Sequence, residues 1–348
     1  MRNYREHLIR RGSQIKEALA MLDKLASDAI LFVIDASDVL VGSLTDGDVR
    51  RGLLKGLDTS DIVDEFIQPN PKFIMRGKYS VADIIRFREN DFKVIPIVDK
   101  DHVVLNVLNL KLQKSYLPVD AVVMAGGFGT RLKPLTDTVP KPLLEVGGKA
   151  ILEHNLDRLH KFGIDDLWIS IRYLGEQIQD KFSDGASRNQ RIQYVTEDAP
   201  LGTIGAVSKI ENWQHDYVLV TNSDILTTLD YEDFFLNFTE NEADMSVVTI
   251  PYKVDVPYAV METENNVVTS FKEKPTYTYY SNGGIYLIKK SILNKIPRNS
   301  FYNSTDLMEA VINEGGKLIS YPIRQYWLDI GKHADFEKAQ ADIKHLDL

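Results

Sequence analysis

The chain has 348 residues, 44% hydrophobic and 26% charged, with a formal net charge of −9 and no cysteine. That length suits two domains of ordinary soluble composition, and the acidic balance argues against nonspecific nucleic-acid binding. The lack of cysteine excludes a disulfide framework and any thiolate metal site.

The opening segment Met1–His7 has no apolar core of a secretion signal, and no run approaches the roughly 18 apolar residues of a membrane span, so a cytoplasmic protein is expected. Ser13 is placed to cap a helix whose apolar positions are Ile15, Ala18, Leu19, Leu22 and Leu25, the spacing of one buried face. A strand over Ile30–Ile34, a turn at Asp35–Asp38 and a strand over Val39–Leu44 follow. A second copy starts at Ser80, with apolar Val81, Ile84 and Ile85, a strand over Val94–Val98, a turn at Asp99–His102 and a strand over Val103–Leu108. Residues 1–114 therefore carry a degenerate internal repeat. The first copy closes with Gly42-Ser-Leu-Thr45-Asp-Gly-Asp48 and opens a helix over Val49–Leu54, which Thr45 and Asp48 can cap. The matching end of the second copy, Asn106–Leu112, has neither the glycine nor the aspartate.

After a short connector at Lys114–Pro118, residues 119–348 form the second predicted domain. It alternates apolar strands (Ala121–Ala125, Leu167–Ile171, Tyr217–Thr221, Ser246–Ile250) with helices (Ile151–Phe162, Gly205–Lys209, and Ala334–His345 near the end). Such alternation predicts an α/β fold with a mostly parallel sheet, whose ligands sit at the carboxyl ends of its strands. The first strand breaks there into Ala125-Gly126-Gly127-Phe128-Gly129-Thr130-Arg131, followed by Pro140-Lys141-Pro142-Leu143. Glycines let backbone N–H groups approach a ligand, and Arg131 and Lys141 add two cations, so the loop reads as a polyphosphate cradle. A Walker loop needs a Gly-Lys-Ser/Thr ending, but Gly129 is followed by Thr130-Arg131, and a dinucleotide fingerprint would need glycine at Leu132. Neither pattern fits.

Further stations follow in order: Glu197-Asp-Ala-Pro-Leu-Gly202-Thr203, Asn222-Ser223-Asp224, Tyr258-Ala259-Val260, Phe271-Lys-Glu273-Lys274-Pro275, Asn282-Gly-Gly-Ile-Tyr286 and Trp327-Leu-Asp329-Ile-Gly331. With the glycine loop they resemble the sugar-1-phosphate nucleotidyltransferases, whose signature runs GGxGTRLxPLT and then PKPL. The resemblance implies a Rossmann-like, GT-A-like domain that joins an NTP to a sugar 1-phosphate and releases pyrophosphate. It implies catalytic roles for Arg131, Lys141 and Lys274, with nucleotide contacts at Ala125, Gly126, Gly127, Gly129, Thr130, Glu197, Gly202 and Thr203. Asp224 and Asp329 would hold Mg²⁺, a hard cation suited to carboxylates, and Tyr258, Glu273 and Asn282 would meet the sugar. Two departures stand out: Ser223 replaces the family's usual glycine, and Ala259 adds a methyl group where backbone usually nears the sugar.

Glu197 bears on the base. Guanine offers two adjacent donors that one carboxylate can accept together, whereas uracil and thymine offer one N–H between carbonyls. This points to GTP, although Asp198 could take the same role. The 1–114 half resembles an α+β pair of CBS motifs, in which Thr45 and Asp48 would grip the ribose of an adenine nucleotide; capping is the competing explanation for both. The combination is similar to bacterial mannose- and glucosamine-1-phosphate guanylyltransferase-like enzymes serving surface-glycan or nonulosonic-acid synthesis, and a homodimer or higher homo-oligomer is expected, without nucleic-acid or membrane partners. The alternatives are a glucose-1-phosphate thymidylyl- or uridylyltransferase, and a nucleotide-sensing regulator that has lost catalysis.

Overall fold

The structure is a computed structural model describing residues 4–346, so Met1–Asn3 of the segment inspected for a leader lie outside the described residues. The chain divides into two compact units: one comprises residues up to Pro118 with Leu159–Asp165 and Asp184–Arg191, the other the remainder.

The first unit contains β1 (Leu8–Arg10), α1 (Ile15–Leu25), β2 (Ile30–Ile34), β3 (Leu40–Thr45), α2 (Asp46–Leu54), β4 (Ile74–Met75), α3 (Val81–Glu89), β5 (Val94–Val98) and β6 (Val104–Asn109). Two three-stranded sheets, β1-β2-β3 and β4-β5-β6, each pair a parallel first strand with an antiparallel hairpin, so the two repeats share one topology. The apolar stripe of α1 is buried with Leu31, Val33, Leu44 and Val49, as its spacing requires. Ser13 does not cap α1. The chain is still extended at the N-cap, Gln14, which bridges Ile62, and the Ser13 carbonyl accepts the Val63 N–H instead. Ser80 does cap α3, in a reciprocal box with Asp83.

The second unit contains β7 (Val119–Met124), the short pair β8 (Glu145–Val146) and β9 (Lys149–Ala150), α4 (Ile151–Lys161) up to Arg158, β10 (Asp166–Ile171), α5 (Gly175–Phe182), β11 (Arg191–Thr196) from Ile192, β12 (Tyr217–Asn222), β13 (Ile225–Thr227) and α6 (Tyr231–Glu240). It continues through β14 (Met245–Asp255), β15 (Val260–Glu264), β16 (Val267–Lys272), β17 (Thr276–Lys289), α7 (Ser304–Asn313), β18 (Leu318–Pro322), β19 (Trp327–Asp329) and α8 (His333–Asp342). Seven strands form the central sheet in the order β11-β10-β7-β12-β17-β14-β18. β7 lies parallel to β10 and β12, and β14 parallel to β18, while β17 runs antiparallel to both of its neighbours. The fold is thus mixed α/β with a largely parallel sheet, and Gly205–Lys209 is a short 3-10 turn. Val122, Val218, Val220, Val247, Tyr286 and Ile288 from four central strands share one buried cluster, which fixes the strand ends that carry the site. Among the described residues no helix is long and apolar enough to cross a membrane.

Candidate active site

The buried run of β7 ends at Met124, and Ala125 N–H donates to the Ser170 carbonyl of the adjacent β10. The loop then turns at Gly129, where φ is +63° and an added Cβ would lie 2.9 Å from Thr136 Cγ2. Only glycine meets both demands. Thr136 locks the turn by donating its hydroxyl to the Gly129 carbonyl at 2.9 Å. A cavity of about 450 Å³ opens over this loop. Its walls include Ala125, Gly126, Gly127, Gly129 and Thr130 from the loop, Arg131 and Lys141 as cations, and Glu197, Gly202 and Thr203 opposite.

Asp224 enters the same cavity from the end of β12 because Ser223 N–H binds the Met124 carbonyl at 3.1 Å, extending the β7–β12 pairing beyond the strands. The buried Lys141 ammonium forms an ion pair with Asp224 Oδ2. Asp329, 105 positions later, arrives through the two-stranded ladder of β13 and β19, in which Ile225 faces Asp329, and Ile330 N–H binds the Asp224 carbonyl. The Oδ1 atoms of Asp224 and Asp329 are both buried without a hydrogen-bond partner. Burial first, and then the Asp224 charge, push the Asp329 carboxyl above its ordinary range, against the pull of Lys141 and Arg131. Two carboxylates that feel one another's charge, each with an orphaned oxygen, form a donor set that suits a divalent cation.

A second cavity of about 310 Å³ shares Thr203 and Asn222 with the first and is lined by Asn282, Tyr286, Ser304, Trp327 and Asp329. Asn282 Oδ1 accepts from the Tyr286 hydroxyl and Gly284 N–H, both at 2.9 Å, and the Tyr286 hydroxyl lies 2.8 Å from Ser304 Oγ. Burial raises the Tyr286 phenol above its usual range, which keeps it neutral. Asn282, Tyr286 and Ser304 therefore form a neutral hydrogen-bonding surface of the kind that suits hydroxyl groups, with Asp329 as the acid beside it.

A family model for nucleotidyl transferases matches residues 120–345. The chain belongs to the nucleotidyl transferase family. It is 32% identical over 233 residues to a mannose-1-phosphate guanylyltransferase of Mycobacterium tuberculosis, covering 65% of this chain and 64% of the relative. It is 28% identical to a mannose-1-phosphate guanyltransferase of Schizosaccharomyces pombe, covering 62% of each. The chain thus spans a little under two thirds of the length of these curated relatives. Among solved structures, HddC from Yersinia pseudotuberculosis complexed with GMP-PN aligns at a TM-score of 0.50 and 26% identity, over 64% of this chain and 99% of that one. A Bacillus anthracis structure assigned as a glucose-1-phosphate thymidylyltransferase shares the fold at a TM-score of 0.53 and 22% identity, over 66% and 97% of the two chains.

In this nucleotidyl transferase the Glu197 carboxylate is buried, accepts the Ser170 hydroxyl on Oε1 and the Leu201 N–H at 3.1 Å on Oε2, and lies so close to Gly126 that a Cβ there would meet it at 2.6 Å. Asp198, the competing acid, points to solvent and pairs with Lys209 at 3.3 Å. Tyr258, Glu273 and Lys274 are exposed and line neither cavity. Arg172 went unread in the sequence: it lines the first cavity with its guanidinium 4.7 Å from the Phe128 ring centroid. Its signal was positional, because it directly follows β10, the parallel neighbour of β7.

Two other groups of polar residues lie outside these cavities. In the first unit Thr45 N–H and Oγ1 donate to Asp48 Oδ2, at 2.9 and 2.6 Å, while Arg51 and Gln68 occupy Oδ1. Burial alone would raise the Asp48 pKa, but those donors together hold it below the ordinary value. Thr45 lines a cavity of about 350 Å³ with Ile30, Asn90, Phe92 and Val94; Asp48 does not. In the second unit Asp120, Asp166 and His215 place ligand atoms within 4.8 Å of one another, a buried donor set that could hold a divalent cation. It lies at the beginning of β7, the other end from the glycine loop.

Proposed function

We propose that this chain transfers a guanylyl group from GTP to a sugar 1-phosphate and releases pyrophosphate. One observation carries the reading: two cavities share Asn222 and Thr203, and a carboxylate pair with orphaned oxygens joins them, Asp224 lining one and Asp329 the other. The glycine-loop cavity takes the nucleotide, and the neutral Asn282–Tyr286–Ser304 wall takes the sugar. The sugar phosphate is already an anion, so no protein base is needed. Its oxygen forms a bond to the α-phosphorus as the α–β bridging bond breaks, and the electron pair leaves with pyrophosphate.

The residues contribute alignment and charge. Lys141 faces the α-phosphate and Arg131 the leaving pyrophosphate, where preorganised cations offset developing charge. Asp224 and Asp329 would hold Mg²⁺, which when bound would offset negative charge on the phosphates. Glu197 accepts N1–H and N2–H₂ of guanine with its remaining lone pairs, in keeping with the guanylyl-transferring relatives. Lys274 and Glu273 meet the sugar phosphate and sugar hydroxyls from the segment that follows β16. The first unit is a pair of CBS motifs binding an adenine nucleotide in the cavity lined by Thr45, with Asp48 holding the Thr45 hydroxyl hydrogen so that its oxygen can accept from the ribose.

Pyrophosphate release from GTP, dTTP, UTP and ATP, each with mannose, glucose and glucosamine 1-phosphates and Mg²⁺, tests the main reading. Turnover with GTP is expected; turnover with dTTP or UTP alone overturns the base assignment, and none with any pair overturns the transferase. For the first unit, calorimetry with ATP and AMP should show at least tenfold weaker binding in Asp48→Ala. Equal affinity would leave Asp48 as a helix cap only.

A further inference from the structure

Arg172 is a cation of the glycine-loop cavity to which the reaction above gives no task. It follows β10 directly, and its guanidinium lies 4.7 Å from the Phe128 ring centroid. Among the described residues it has no carboxylate partner and makes no hydrogen bond, so the donors of its planar fork are uncommitted. Phe128 is braced from a second side by the Tyr173 ring, 5.4 Å away, whose hydroxyl donates to the Asp137 carbonyl at 3.0 Å. A guanidinium resting on a braced ring is in place before any ligand arrives.

Position in the sheet decides which part of a nucleotide it meets. The strands run in the order β11-β10-β7-β12. The two cations given to phosphate gather on the β12 side: Lys141 pairs with Asp224 just beyond β12, and Arg131 would lie 3.4 Å from a Cβ on Gly331, just beyond β19. Arg172 stands across β7 from them, two strand spacings or about 10 Å from β12. It is next to the tip of β11 instead, where Glu197 N–H donates to the Ile171 carbonyl at 3.0 Å. Ser170, two residues earlier and so on the same face as Arg172, is the residue whose hydroxyl binds the Glu197 carboxylate. Guanidinium and carboxylate therefore line one end of the cavity, and the phosphate cations line the other.

Guanine has need of both. Beside the N–H groups that a carboxylate accepts, it carries two acceptors, O6 and N7, on one edge, and an arginine fork meets that edge with two parallel N–H bonds. Adenine keeps N7 but places an amino donor where guanine has O6, so the same fork would face a donor. We propose that Arg172 reads the base, donating to guanine O6 and N7 beside Glu197, and so separates GTP from ATP. The inference rests on the guanylyl reading above and adds to it a second contact of opposite charge.

Calorimetry on the full-length chain with Mg²⁺ tests this, using GTP, 7-deaza-GTP (carbon in place of N7) and ITP (no 2-amino group). The parent should bind 7-deaza-GTP roughly tenfold or more weakly than GTP, the scale of one hydrogen bond from a charged donor. Arg172→Met should lower GTP affinity until the two nucleotides bind within about twofold of each other. The ITP penalty belongs to Glu197 and should be the same in both proteins, and circular dichroism should show the variant folded. A parent indifferent to N7 overturns the assignment. So does a loss in Arg172→Met shared equally by GTP and 7-deaza-GTP, which would put the guanidinium on phosphate. A parent that binds UTP as tightly as GTP fails the guanylyl reading itself, whereas a GTP-preferring parent whose 7-deaza penalty survives in Arg172→Met fails the Arg172 assignment alone.

Discussion

Two acidic clusters lie at opposite ends of one strand, Asp120 with Asp166 buried and Asp224 with Asp329 half-buried, and only the second has the makings of a reaction centre. At the start of β7, Asp120 is held by Gln214 and His215 N–H groups at 2.9 and 2.8 Å, and His215 Nε2 lies 3.3 Å from Asp166 Oδ2. Four residues on, about 13 Å along the strand, Met124 receives the Ser223 N–H that brings Asp224 beside Lys141. Both ends leave a buried carboxylate oxygen unpaired, at Asp120 and at Asp224 with Asp329. What separates them is access and countercharge. Asp224 lines a cavity with Arg131 and Lys141, whereas Asp120 is fully buried and lines neither cavity. A buried acid becomes a candidate for chemistry when substrate can reach it and fixed cations are already there.

The sharpest way to break the comparison is to neutralise one acid at each end. Asp224→Asn should cut pyrophosphate release on the order of 10³-fold, the scale of losing a preorganised electrostatic group. Asp120→Asn should stay within about threefold of the parent, since it touches no substrate. Initial rates with GTP and excess Mg²⁺ read both. Comparable losses at the two positions would end the distinction.

A smaller effect is expected at Glu197, which lies near the same end of the sheet. Glu197→Gln keeps an oxygen for Ser170 or the Leu201 N–H but replaces the other with an amide donor. Guanine then loses one acceptor, and a pyrimidine gains a donor for a carbonyl. The ratio of kcat/KM for GTP over dTTP should fall by roughly 10²-fold. An unchanged ratio, with both rates lowered equally, would reduce Glu197 to a brace for the loop.

The site was far more legible than its surroundings. The glycine loop, Lys141, Asp224 and Asp329 could be read because each is a short pattern with its own chemistry, and the pairing of β13 with β19 brings the distant pair together. The Asp120 cluster was missed because Asp120 opens an apolar run, and its partners come from other segments 46 and 95 residues away. β14 was expected to stop at Ile250 and runs to Asp255, since its extension depends on β17, a partner that no local window contains. The same extension leaves Tyr258, Glu273 and Lys274 outside both cavities, although their motifs read as clearly as the others.

The smallest expected effect concerns stability and turns on a sign. Burial raises the Asp120 pKa from 3.8 to about 6, with Asp166 adding to the rise and His215 opposing it. Between those values the folded chain holds a proton that the unfolded chain has released, so stability from this group is complete below about pH 4 and declines as pH rises to 6. Asparagine cannot ionise and escapes that decline. Asp120→Asn should therefore melt with the parent at pH 4 and several degrees above it at pH 7.5, read by differential scanning calorimetry. The opposite outcome is equally informative. A variant less stable at pH 7.5, with the parent falling to match it when a chelator is added, would mean that Asp120, Asp166 and His215 hold a cation, and the two ends of β7 would then differ in access alone.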